Sequence, residues 1–194
     1  MQSAAVVGWR WLWVAVLLGA LAACAHDPVR EPVETLNETT GVTIATLSSP
    51  ITLVQTGLLA FHKRASFAYL GPVEWNRMGN RRYGLWIHIA PGNDRQVADV
   101  REPGAVTLIL DDGALDMTPL DPMLLGSEAY SPVVNWGQSV YFSLTVESLR
   151  RLGASRYIGL DFRASGQSIL RFKPTDDAHA ALSDYVNARL GNSG

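Results

Sequence analysis

Residues able to do covalent or metal chemistry are sparse in this chain. It holds one thiol, Cys24, and four imidazoles, His26, His62, His88 and His179, among 194 residues. A single cysteine excludes an internal disulfide framework and any multi-cysteine zinc or iron–sulfur site. The histidines share no ligand spacing such as His-Glu-x-x-His. There is also no Gly-x-Ser-x-Gly elbow, no Ser-x-x-Lys pair and no glycine-rich phosphate loop followed by Lys. No catalytic set, no metal site and no cofactor is expected. Asp111-Asp112-Gly113 with Asp116 is the densest carboxylate group, yet it lacks the alternating oxygen ligands and distal Glu of a calcium loop. Asp-Gly is instead what a tight hairpin turn asks for. Hydrolytic or metal-assisted chemistry would need His62, His88, Asp111, Asp112 and Asp116 to converge on one cleft in space.

Charge carries more information. Sixteen basic against 18 acidic side chains give a net −2, which argues against a nucleic-acid partner. Within that near-neutral total, residues 62–82 hold Lys63, Arg64, Arg77, Arg81 and Arg82 against Glu74 alone. Residues 94–121 hold seven acids against Arg95 and Arg101. Arg77, Arg81 and Arg82 fall around a predicted hairpin tip, where they could meet anionic headgroups or an acidic partner. The bland alternatives are pairing between the two segments and simple protection of a strand edge. Trp75, Trp86, Trp136, Tyr69, Tyr83, Tyr130 and Tyr141 could similarly form a platform for a cell-wall glycan, or merely fill a core.

The first 24 residues form a unit of their own. Arg10 is the only charged side chain before His26, and Trp11 to Ala23 is a run of 13 uncharged residues. That matches the apolar stretch of a secretory signal, whereas a bilayer-spanning helix needs roughly 20 residues. The run ends in Leu21-Ala22-Ala23-Cys24, which resembles the lipobox of bacterial lipoproteins. The resemblance covers only the leader. It implies cleavage between Ala23 and Cys24, a thioether-linked diacylglycerol on the Cys24 sulfur and usually an acyl chain on its amine. A thiol supplies the nucleophile, and small residues before it let an extended backbone enter a peptidase cleft. Two or three acyl chains exceed what stable attachment to a bilayer requires. By analogy with enterobacterial sorting, Ala25 rather than Asp after the cysteine points to the outer membrane, on its periplasmic face.

Residues 1–23 are thus expected to be a signal peptide, and 24–41 a lipidated cysteine with a flexible linker. Pro28, Pro32 and the acids Asp27, Glu31, Glu34 and Glu38 bring few large apolar side chains to that linker. Residues 42–194 are expected to be one globular domain of no recognised family. The 47% hydrophobic content is enough for a core.

Strand periodicity dominates this domain. Tyr83, Leu85, Ile87 and Ile89 alternate with Gly84, Trp86, His88 and Ala90, and Gly79-Asn80 suits a tight turn back to the run Phe67 to Trp75. Further strands are predicted over Val42 to Leu47, Ile51 to Val54, Val106 to Leu110, Val140 to Leu144, Tyr157 to Phe162 and Ser168 to Phe172. Turns are predicted at Asp112-Gly113 and Ser165-Gly166, and a proline-bearing loop over 118–137. Thr145 can cap a short helix closed by Gly153. Asp176 and Asp177 can start a longer one with Leu182, Tyr185, Val186 and Leu190 on one stripe. The expected fold is mainly β, an antiparallel β-sandwich or rolled sheet with a short helix and a C-terminal helix packed on it.

These features together lead to the expectation of a non-enzymatic, lipid-anchored periplasmic module. It would be held to the bilayer through acylated Cys24 and would bind another envelope protein or cell-wall glycan. A passive structural role in the envelope is the bland alternative, and a hydrolase or metal-dependent enzyme the sharp one.

Overall fold

The computed structural model describes residues 30–57, 65–92, 99–102, 104–115, 117–121, 128–163 and 169–191. It is a mainly antiparallel β structure, one curled half-barrel sheet with two helices. The strands are β1 (Pro32–Asn37), β2 (Val42–Leu47), β3 (Ile51–Gln55), β4 (Phe67–Arg77), β5 (Asn80–Ala90), β6 (Val106–Leu110), β7 (Gly113–Leu115), β8 (Thr118–Leu120), β9 (Gln138–Leu144), β10 (Ile158–Arg163) and β11 (Ile169–Pro174). Helix α1 spans Val146–Ala154 and α2 spans Ala178–Leu190. The main path through the sheet runs β7-β6-β10-β11-β3-β4-β5-β9-β8, with β2 also on β4 and β1 on β2.

A break in one long strand makes the sheet fork. β2 and β3 lie end to end along the same edge of β4, with Thr46 opposite Val73 and Ile51 opposite Leu70. Five steps along the first chain therefore match three along the second, so two extra residues bulge out before Pro50. Beyond the bulge β1 continues from the free edge of β2, and β11 from that of β3. Extrapolated across the bulge, Leu47 faces Pro72, but their ladder bond is not closed directly. The Tyr130 hydroxyl stands between them, accepting from the Leu47 N–H at 2.9 Å and donating to the Pro72 carbonyl at 3.2 Å. Each group that the bulge would orphan thus regains a partner.

The inner face of the curl holds the main core. Leu85 and Ile87 of β5, Phe142 of β9, Leu108 of β6 and Phe172 of β11 meet Leu149 and Leu152 of α1 and Leu182 and Tyr185 of α2. Thr145 caps α1 as expected, its Oγ1 accepting from Ser148 N at 3.0 Å, and Asp177 caps α2 through Ala180 N. Gly153, expected to end α1, lies inside it. A Cβ there would stand 2.7 Å from Val186 Cγ2, so the glycine serves the close approach of α2 rather than termination. The Tyr185 hydroxyl donates to the Ala45 carbonyl at 3.0 Å and fixes α2 to β2.

Two expectations shift. Composition puts residues 32–37 in the linker, but Pro32–Asn37 is strand β1, registered on β2 throughout and tied to α2 by the Glu34–Arg189 ion pair. An edge strand covers no core of its own, so it needs no apolar pattern. The 118–137 segment begins with the short strand β8, which carries Pro119 and pairs with β9. An edge position tolerates a residue without an N–H.

Candidate functional site

The arginine hairpin forms, with its turn moved by one residue. Arg77 pairs with Asn80, so Met78 and Gly79 are the turn residues, with φ of +53° and +87°. Asn76 Oδ1 accepts from Gly79 N at 3.0 Å and braces the turn. The left-handed region suits Gly79 but is uncommon for a side chain such as that of Met78. The register is set further down the strands. Gly84 lies diagonally from Trp75, and a Cβ at Gly84 would come within 2.7 Å of that indole. Sliding the turn to Gly79-Asn80 would lose this match.

The three arginines do not form one patch. Directly opposed residues share a face of the sheet. Arg82, opposite Trp75, and Arg77 lie toward the outer face, while Arg81, opposite Asn76, lies toward the inner face with Glu74. Arg81 is engaged there: its Nε lies 3.4 Å from Glu74 Oε1, and its Nη1 donates to the Arg189 carbonyl at the end of α2. Burial pushes the Glu74 carboxyl above its usual range, while Arg81 and Arg189 pull it back. Arg77 and Arg82 are exposed, and no described residue pairs with either. No described ion pair joins the basic segment to the acidic one. Asp112 takes Arg151 of α1 instead, at 2.7 and 2.8 Å. Met78, at the apex, is 98% exposed.

The aromatics mostly build a second, smaller core on the outer face. Val42, Ile44, Val73, Trp75, Trp86 and Tyr141 are buried there under the 128–137 loop. Tyr130 stacks on Trp86, with centroids 5.0 Å apart, and fills the space where Gly71 has no side chain. The Tyr141 hydroxyl accepts from Ala129 N at 3.0 Å and Tyr130 N at 3.2 Å, fastening the same loop. Only Trp136, 66% exposed, stands out as a free indole, so the seven aromatics do not form a common platform. Glycines inside strands at 71 and 84 were the available signal that something packs closely on this face.

His88 belongs to that outer core. It is fully buried, shares a 2.8 Å hydrogen bond between Nδ1 and Ser139 Oγ, and stacks against Trp86. Gly137 packs directly on its ring, where a Cβ would collide with Nε2. Burial lowers its pKa, partly opposed by the Val134 backbone. The candidate acids sit elsewhere. Asp111 accepts from Arg156 N and Tyr157 N, and its neighbour Asp112 sits in the same β6–β7 turn. Along the sheet β6 stands five strands from β5. That turn places Asp111 and Asp112 as its central residues, with Gly113 following at φ +119°. Among the described residues no group of three His, Cys, Asp or Glu side chains could hold a metal ion. Ala23, Cys24, His62, Lys63, Arg64, Arg95 and Asp116 lie outside the described residues.

A cavity of about 1080 Å³ opens beside β8 and β9. Asp99, Asp121, Glu128 and Arg101 line it together with Gln138 and Ser139. Gln138 Oε1 accepts from Val100 N, and Asp99 Oδ1 from Arg101 N, so part of this polar lining braces the 99–101 turn.

No protein-family model, curated protein or solved structure matches the chain.

Proposed function

We propose that this protein is a lipid-anchored lipoprotein of the bacterial envelope, probing its surroundings from the periplasmic side of the outer membrane as a binding or assembly module rather than a catalyst. Cys24 carries the lipid and becomes the first residue after removal of 1–23. The β4–β5 hairpin is the contact surface. The observation that supports this reading best is the hairpin apex, where a methionine stands almost wholly in solvent between two arginines that no described residue neutralises. A non-glycine residue held at positive φ costs on the order of 1 kcal/mol, and a contact made by its side chain would offset that cost.

The structure alters how that surface should be tested. Arg81 supports Glu74 and the end of α2, so changing it perturbs the fold. Arg77 and Arg82 can be changed without loss of a described contact. Recovery of membrane components with wild type and an Arg77→Ala, Arg82→Ala double variant is the experiment. Reduced recovery with the double variant, at unchanged melting temperature, is expected. Identical recovery from both removes the hairpin from the account.

A further inference from the structure

We infer that the hairpin apex is a second foot on the membrane, with Met78 entering the headgroup layer and Arg77 and Arg82 meeting anionic phospholipid phosphates. This rests on the lipid-anchor reading above and names the partner of the same surface.

Three observations point to lipid rather than to a folded protein. First, the apex is small. It offers Met78 and two guanidinium groups on a two-residue turn, far less than the roughly 800 Å² per partner of a stable protein interface. A bilayer needs no matching shape, only an apolar tip and cations at phosphate depth. Second, the neighbouring edge adds to the tip. Leu36 of β1 is 60% exposed and shares a row with Thr43 and Asn76, two residues from Met78. A second bulky apolar side chain therefore stands at the same end of the sheet.

Third, the tether reaches. β1 runs toward the hairpin end, and Val33, Thr46 and Val73 share a row. The chain is fixed back to Arg30, which pairs with Asp176 three residues before Val33, so from the Arg30 level to Met78 is eight residues of strand, about 27 Å. From Cys24 to Arg30 is six residues of chain, at most roughly 21 Å. A lipid on Cys24 and the tip at Met78 therefore reach one surface together when the strands lean about 40° or more from the membrane normal.

Charge decides that the two feet must act jointly. The Glu74–Arg81 and Glu34–Arg189 pairs cancel, and Glu38, which pairs with neither Arg77 nor Arg82, lies on the β1–β2 turn at the same end of the sheet, so the local excess is one positive charge. So small a positive excess does not hold a free protein on a membrane. It orients one that is already tethered.

The test uses the full-length, membrane-extracted protein with Met78→Cys, labelled with an environment-sensitive thiol fluorophore. It is reconstituted into vesicles of phosphatidylethanolamine with phosphatidylglycerol, or of phosphatidylcholine alone, and its intact mass is measured. Expected are one dye per chain, because Cys24 is consumed by the lipid, and blue-shifted emission in the anionic vesicles. High salt, phosphatidylcholine, or added Arg77→Glu and Arg82→Glu changes should each remove the shift. One dye with identical emission in both vesicle types overturns the second foot and leaves the anchor standing. A shift in native membranes but not in lipid vesicles gives the tip to a protein partner and likewise overturns it. Two dyes on an uncleaved, unlipidated chain overturn the anchor reading and this inference with it.

Discussion

Tyr130→Phe removes one oxygen and keeps the ring, which isolates the role of that hydroxyl at the bulge. The stack on Trp86 and the filling of the space above Gly71 survive. What disappears is the bridge between the Leu47 N–H and the Pro72 carbonyl. Leu47 is 1% exposed, so its N–H gains no water in exchange. A buried donor left unsatisfied costs about 1–3 kcal/mol, and the carbonyl, with two lone pairs, adds less. The expected loss is about 2 kcal/mol. For a domain of this size it lowers the melting temperature by roughly 4–8 °C. Urea unfolding followed by tryptophan fluorescence measures the first figure and a thermal scan the second, because Trp86 lies directly under the altered ring. An unchanged slope with a shifted midpoint would assign the change to stability rather than to a different unfolded state. A variant within about 0.5 kcal/mol of wild type would refute the bridge as the closure of the broken ladder.

Gly84→Ala should destabilise by about 1–3 kcal/mol or fail to fold, because the new Cβ would meet Trp75 at 2.7 Å and the Phe142 carbonyl at 2.9 Å; the same urea midpoint checks it. Thr145→Ala should cost about 1 kcal/mol through loss of the α1 cap, measured as helix stability by hydrogen exchange at Leu149 and Leu152. His88 has its pKa depressed by burial, so the unfolded chain takes up a proton at a higher pH than the fold does. Its contribution is fully present above about 6.5 and is lost as pH falls toward the lower folded value. Unfolding free energy measured across this range should fall with acidity in wild type, and that part of the slope should vanish in His88→Gln.

The elements that were legible in the sequence are those whose signals are local. Period-two alternation from Tyr83 to Ile89 marks β5, and its odd-numbered side chains line the main core. Thr145 and Asp177 cap their helices because a short oxygen-bearing side chain before a helical stripe has few other uses. What escaped is set by tertiary partners. β1 has almost no apolar pattern because it borders solvent and borrows its order from β2. Gly79-Asn80 reads as the turn from residue type alone, but the fit of Trp75 over Gly84 fixes the register and puts Met78 at the apex. His88 reads as an ordinary strand histidine until the 128–137 loop closes over it, and the only local signal of that loop is Gly71, whose missing side chain makes room for Tyr130. The arginines at 77, 81 and 82 read as one cluster because one-dimensional spacing hides the alternation of a strand. Opposite faces separate the engaged Arg81 from Arg77 and Arg82, which pair with no described residue. The proposed lipobox, Leu21-Ala22-Ala23-Cys24, lies outside the described residues, and its reading rests on the sequence pattern alone.

The proposed role depends on the chemical fate of one sulfur atom. Intact-mass measurement of the protein extracted from membranes, beside a Cys24→Ser variant, tests it most directly. The predicted wild-type product starts at residue 24 and carries the added mass of a diacylglycerol and an acyl chain, while the variant keeps residues 1–23 and gains no lipid. A wild-type chain that retains Met1 and shows the bare polypeptide mass would contradict the account.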